Sequence, residues 1–347
     1  MKLGSTHSML CSHRAHMLLI VLALITAIEG SALGAQLVPV RDSLQRAHAV
    51  RAQSSAITSA RFSPDGRYVA TATLDGTVCV YTVPALARQW CAPHGAEVYS
   101  VRWSADGRAL ASTGGDSRVV QWGVIRGARR NTITLPHRAL TLAWTGDSLV
   151  VAPTVHGEVV FISSHSGRSR VAWILPKEVL TAAVSPDGQW LVTGVPLERH
   201  RLIDGTERRQ LPAFGHGGVA FHPTARILGV AEWVAGARLV MMGDTSQAVG
   251  LGLPTLQEFA GIAYDSATVN MPSTDIVFTP TGSHVIVAGT DGGVWIWALG
   301  RDGRPAPPAR TWRAHRGTVS AVDVSVDGRW LVSAGLDRQL KLWRVPE

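Results

Sequence analysis

One short turn keeps returning along this chain, and it restricts the fold more than any other feature. It reads Ser63-Pro64-Asp65-Gly66, Ser104-Ala105-Asp106-Gly107, Thr145-Gly146-Asp147 and Ser185-Pro186-Asp187-Gly188. It returns as His222-Pro223-Thr224-Ala225, Thr279-Pro280-Thr281-Gly282 and Ser325-Val326-Asp327-Gly328. The first spacings are 41, 41 and 40 residues, and the later ones are 37, 57 and 46. Pro and Asp-Gly favour a tight reversal between antiparallel strands.

The flanking runs alternate apolar and polar residues, which is the period of a strand. Before the turn stand Ile57–Phe62, Val98–Trp103, Val179–Val184, Asp275–Phe278 and Val319–Val324. After it stand Tyr68–Thr73, Ala109–Ser112, Trp190–Thr193, His284–Ala288 and Trp330–Ala334. A third run follows in most units, as in Thr77–Tyr81, Arg118–Trp122 and Gln339–Trp343, and a more polar fourth closes them. Four short strands about every 40 residues, repeated seven times, predict an all-β, seven-bladed β-propeller. The propeller is expected over residues 36–347, with units four and five degenerate.

Fixed spacings within the units sharpen this reading. His94, Ser112, Asp116 and Trp122 recur as His315, Ser333, Asp337 and Trp343, with 22 residues from His to Asp and six from Asp to Trp. Unit one keeps the spacing with Gln53, Thr71, Asp75 and Tyr81. Unit three offers His137, but His156 stands at the Asp position and Ile162 at the Trp position. In these residues the chain resembles the WD-repeat β-propeller family. The resemblance implies that each His–Ser–Asp–Trp set is a hydrogen-bonded structural tetrad. The Asp that follows the Trp in the family is absent, with Gly123, Ala298 and Arg344 in its place. Taken alone, Ser112, His94 and Asp116 look like a catalytic triad. Their recurrence beside an aromatic, with no nucleophile turn, argues for structure instead.

The resemblance also implies a recognition face, built from residues just after the loop histidine and just before the turn aspartate. Here these are Ala56 and Leu74, Glu97 and Gly115, and Arg316, Thr318 and Leu336. Their mix of apolar and charged groups suits a protein partner. A ligand-binding or catalytic site at the channel mouth is the alternative.

Unit seven has three strand-like runs, so a fourth strand is needed to remove its open edge. The segment Gln36–Arg41 is expected to supply it by pairing with Gln339–Trp343. Arg301–Pro308 reads as a Pro-rich loop, and Leu251–Asn270 as a surface insertion.

Residues 1–35 read as an export signal, with a basic flank, the apolar run Met17–Ile28, and small residues at Gly30–Ala35. Twelve apolar residues are short for a bilayer span, which needs about 20. An uncleaved membrane anchor is the alternative. After cleavage two cysteines remain, Cys79 and Cys91, on successive strands. Either they form a disulfide, as an oxidising compartment favours, or they are two buried thiols.

The net charge of +8 comes from 33 basic residues, of which only Lys2, Lys177 and Lys341 are lysines. Arginines scattered through every unit, without interleaved aromatic runs, make no case for nucleic acid. No metal, nucleotide or nucleophile motif stands out. Ser163–Gly167 lacks the leading Gly of a nucleophile turn, and His216 and His222 read as loop and turn residues. The expectation is therefore an exported, non-enzymatic, monomeric propeller without cofactors, which binds a protein partner.

Overall fold

The alternating runs become strands, and each group of four makes one antiparallel sheet. The computed structural model describes residues 46–51, 54–145, 149–194, 196–213, 217–232, 236–242, 247–251 and 275–345. Its described strands form seven four-stranded sheets. Blade one is Ile57–Phe62, Tyr68–Thr73, Thr77–Thr82 and Arg88–Pro93, in that order from the channel outward. Blade two is Val98–Trp103, Ala109–Gly114, Arg118–Gly123 and Arg129–Thr134. Blades three to six begin at Ala143, Thr181, Val219 and Ile276. Blade seven holds Val319–Val324, Trp330–Gly335 and Gln339–Arg344. Inner strands contact the inner strands of the next blade all the way round, including blade seven against blade one. The molecule is a seven-bladed β-propeller. No helix among the described residues is long and apolar enough to cross a membrane.

A small sheet cannot bury its own apolar faces, so the core lies between blades. One layer joins Ile57, Ala60 and Val69 of blade one to Val332, Leu340 and Leu342 of blade seven. The next joins Ala70, Val78 and Trp90 to Val98, Leu110 and Trp122 of blade two. Five similar layers complete the circuit. Burying one such side chain contributes about 1.5–3 kcal/mol, so every blade depends on two neighbours.

The recurring turn owes its shape to side chains. Ser63 Oγ donates to Asp65 Oδ1 at 2.5 Å and accepts from the Tyr68 N–H at 2.9 Å. The same bonding recurs at Ser104 and Asp106, and at Ser325 and Asp327. In blade five His222 replaces this pair. Its Nδ1 accepts the Thr224 and Ala225 N–H groups, so its Nε2–H donates to Gly282 O at 3.0 Å. Gly282 has φ +72° and its missing Cβ would collide with that ring, so no other residue fits there.

Three expectations need correction or qualification. The strand beside Gln339–Arg344 is Arg46–Arg51, paired from Arg46↔Trp343 to Arg51↔Gln339. Gln36–Arg41, proposed for this role, lies outside the described residues. Arg46–Arg51 is RAHAVR, a polar stretch whose weak alternation hid it, and an outermost strand needs little apolar character. Arg301–Pro308 is not all loop. The outer strand of blade six starts at Pro305, an edge position where a missing N–H does no harm. Blade four is complete, with a third strand at Glu198–Arg201 and a two-residue outer strand at Arg209–Gln210. Apart from Leu251, the Leu251–Asn270 insertion lies outside the described residues, as does the whole 1–35 segment.

Candidate functional site

The two spaced sets of four close into chains of hydrogen bonds. In blade two, Trp122 Nε1–H donates to Ser112 Oγ at 2.7 Å, and His94 Nδ1 is 2.9 Å from that oxygen. His94 Nε2 lies 3.3 Å from Asp116 Oδ1. In blade seven, Trp343 Nε1–H donates to Ser333 Oγ at 2.8 Å, and His315 bridges Ser333 at 2.7 Å and Asp337 at 2.8 Å. Both histidines and both serines are buried, so each polar atom needs the next one in the chain. Burial tends to raise the Asp337 pKa. Bonds from His315 and from the Arg316 and Gln339 N–H groups outweigh this and hold it below the ordinary carboxylate range. Burial lowers the His94 pKa despite Asp116 beside it.

The tetrads position the loops that carry the expected recognition residues. The Gly115 N–H donates to Glu97 O at 2.9 Å, Leu336 N–H to Thr318 O at 3.0 Å, and Leu74 N–H to Ala56 O at 3.0 Å. One bond thus ties the same two loops in blades two, seven and one. The Arg316 N–H donates to Asp337 Oδ2 at 3.3 Å. Glu97 and Arg316 are exposed, while Ala56, Leu74, Gly115, Thr318 and Leu336 are half-buried. In blade one, Asp75 accepts from Ser54 and from Thr73 Oγ1, and the Gln53 position lies outside the described residues.

Cys79 and Cys91 face each other across the third and fourth strands of blade one and are joined as a disulfide.

Blades three and four use other polar groups where the spacing fails. His137 Nδ1 is 2.8 Å from Glu158 Oε1, and Thr154 Oγ1 donates to the same carboxylate. His156 stacks on His137 at 3.9 Å between ring centres. In blade four, His200 pairs with Leu191 as Trp122 pairs with Leu110, so it takes the Trp place. It lies 3.2 Å from Thr193 Oγ1. Beside it Glu198 accepts Lys177 at 2.7 Å and both Nε and Nη2 of Arg208 at 3.0 and 2.8 Å. Burial, opposed by Glu198, brings the His200 pKa down to about 4, so its ring is neutral at neutral pH. The turn between the second and third strands here is three residues shorter than in blade two, which hides the cluster from any fixed-spacing search.

The profile of the WD domain, G-beta repeat family matches residues 44–82, 88–123 and 306–344. These matches fall on blades one, two and seven, within a ring of seven four-stranded blades. The chain is a WD-repeat β-propeller. A search of curated proteins finds no match to it. The matched stretches include both complete tetrads of this WD-repeat chain.

Sequence reading missed a group of charges on the channel wall. Arg61 Nη2 meets Asp275 Oδ2 at 2.6 Å, with the two side chains 15% and 12% exposed. Arg61 Nη1 also donates to Ala60 O and Val322 O. Asp323 Oδ2 accepts the Phe62 N–H at 2.8 Å. Arg102 Nη1 donates to Val101 O at 2.9 Å and to Ser59 Oγ at 3.3 Å. Burial, and then the neighbouring Arg61, push the Arg102 pKa down to about 9, so its guanidinium stays charged at neutral pH. Burial raises the Asp323 pKa. The missed signal was positional: Arg61, Arg102 and Asp323 each stand two residues before the turn serine.

Proposed function

We propose that this WD-repeat propeller is an exported, non-catalytic, monomeric platform for a protein partner. The binding face is the loop surface of blades seven, one and two. The observation that carries this reading is the repeated backbone bond between loops, Ala56 with Leu74, Glu97 with Gly115 and Thr318 with Leu336. Rigidly held loops bind at a lower ordering cost than mobile ones. WD-repeat propellers generally bind proteins, and here two apolar side chains, Leu74 and Leu336, stand among the charges of Glu97 and Arg316. Affinity capture from the native envelope tests the reading. The wild-type chain should recover a partner that a Glu97→Arg/Arg316→Glu variant loses. Equal recovery by both would remove this face from consideration.

Export is supported by the apolar run Met17–Ile28 with small residues after it, and by the Cys79–Cys91 disulfide. A mature chain starting between Ser31 and Gln36 is expected from mass spectrometry. An intact Met1 in membrane fractions would favour an uncleaved anchor.

A further inference from the structure

Each inner strand presents one side chain to the channel two residues before its turn. Round the ring these are Arg61, Arg102, Ala143, Ala183, Ala220, Val277 and Asp323. The charges therefore occupy one side of the channel and the small apolar residues the other. Arg61 already has Asp275 at 2.6 Å. Arg102 has no such partner. Among the described residues no carboxylate lies within 4.0 Å of it, and only its Nη1 makes hydrogen bonds. Its Nη2 and Nε are left for something else.

A cavity of about 650 Å³ opens at this point, on the face of the recurring turns. Arg61, Arg102, Trp103, Trp144, Val184 and Asp323 are among its walls. That volume holds a small organic ligand.

We propose that the channel mouth on the turn face binds a small monocarboxylate with an aromatic or branched apolar body. Arg102 holds the carboxylate through Nη2 and Nε, the planar fork that guanidinium offers to two oxygens. The apolar body rests against Trp144 and Val184. A ligand with a second negative charge is disfavoured, because Asp187 and Asp323 line the same cavity. The site lies on the face opposite the Glu97 and Arg316 loops, so it stands or falls independently of the scaffold reading.

Thermal unfolding and calorimetric titration of the full chain with sodium benzoate test this site. Benzoate should raise the Tm of the wild type and bind it, while neutral benzyl alcohol and inorganic phosphate should not. Arg102→Gln should weaken benzoate binding by about tenfold or more, because a charge-assisted fork is lost. Arg108→Gln removes an exposed arginine from the same face and should leave binding intact. Val184→Trp fills the cavity from blade four and leaves Arg102 of blade two in place, and should also abolish binding. It serves as the decisive variant if Arg102→Gln does not fold. The proposal is overturned if benzoate at ~10 mM leaves the wild type unchanged, a weaker association than any built site would give. Equal binding by Arg102→Gln or Val184→Trp would overturn it too, as would equal loss in Arg108→Gln, which would mark diffuse attraction to a basic surface.

Discussion

Arg61→Met should destabilise the propeller by about 3–5 kcal/mol, the cost of leaving one member of a buried ion pair behind. The acid left behind is Asp275, 12% exposed and 2.6 Å from the lost guanidinium. Its remaining bonds come from backbone N–H groups of Ile276 and Val322, at 3.1 and 3.3 Å. Arg61 also anchors blade one to the Val322 carbonyl of blade seven, so two blades lose a tie together. Arg61→Lys should recover part of the loss, since a point charge restores the Coulomb attraction without the guanidinium's several bonds. Arg61→Met with Asp275→Leu should recover most of it, because no charge is then stranded. Urea unfolding measures all three, with an unchanged m-value showing that stability alone has moved. A loss under about 1 kcal/mol for Arg61→Met would mean that channel water solvates Asp275 well.

Asp337→Ala should cost about 1–3 kcal/mol, through the donors it strands. Three groups donate to that carboxylate: His315 at 2.8 Å and the N–H groups of Arg316 and Gln339 at 3.3 and 3.1 Å. Asp116→Ala should cost less. Its histidine contact is 3.3 Å long, and among the described residues its Oδ2 has no hydrogen-bond partner. The pH dependence has a fixed sign. The folded state holds Asp337 below its ordinary pKa. Its contribution is therefore complete above the ordinary carboxylate range, and is lost as pH falls through the lowered value. The gap between wild type and Asp337→Ala should be constant near neutrality and narrow on acidification. A neutral effect in blade seven would contradict the structural role of the tetrad.

The blade pattern was legible because the side-chain period of two and the Asp-Gly turns are local signals. Ile57–Phe62, Tyr68–Thr73, Val98–Trp103, His284–Ala288 and Val319–Val324 are strands with the bounds that alternation predicts. Legibility ends where partners come from far along the chain. RAHAVR has little alternation of its own and is a strand because Gln339–Arg344 offers it an edge. Blade four keeps its polar core by a different set, with His200, Thr193 and Glu198 in a shortened turn. The channel charges were visible only once the inner strands had been set side by side. Arg61 and Asp275 are in separate repeats, and nothing in either repeat announces the other.

The seam between blades one and seven also bears on the order in which the ring forms. Contacts between neighbouring blades elsewhere join residues about 25 to 60 positions apart, with 40 for Thr58 and Val98 and 60 for His222 and Gly282. Across the seam, Phe62 meets Asp323 from 261 positions away, and Ser320 meets Ile57 from 263. Loop-closure entropy makes the longer connection roughly 1.6 kcal/mol more costly than the shorter one. Contacts this distant form late, because little rewards them until the intervening chain is ordered. The circle is thus expected to assemble as an open arc and shut last at this seam. Its backbone amides should be among the first in the inner strands to exchange with solvent, and a seam that opens before the rest melts would let the ring widen without unfolding its blades.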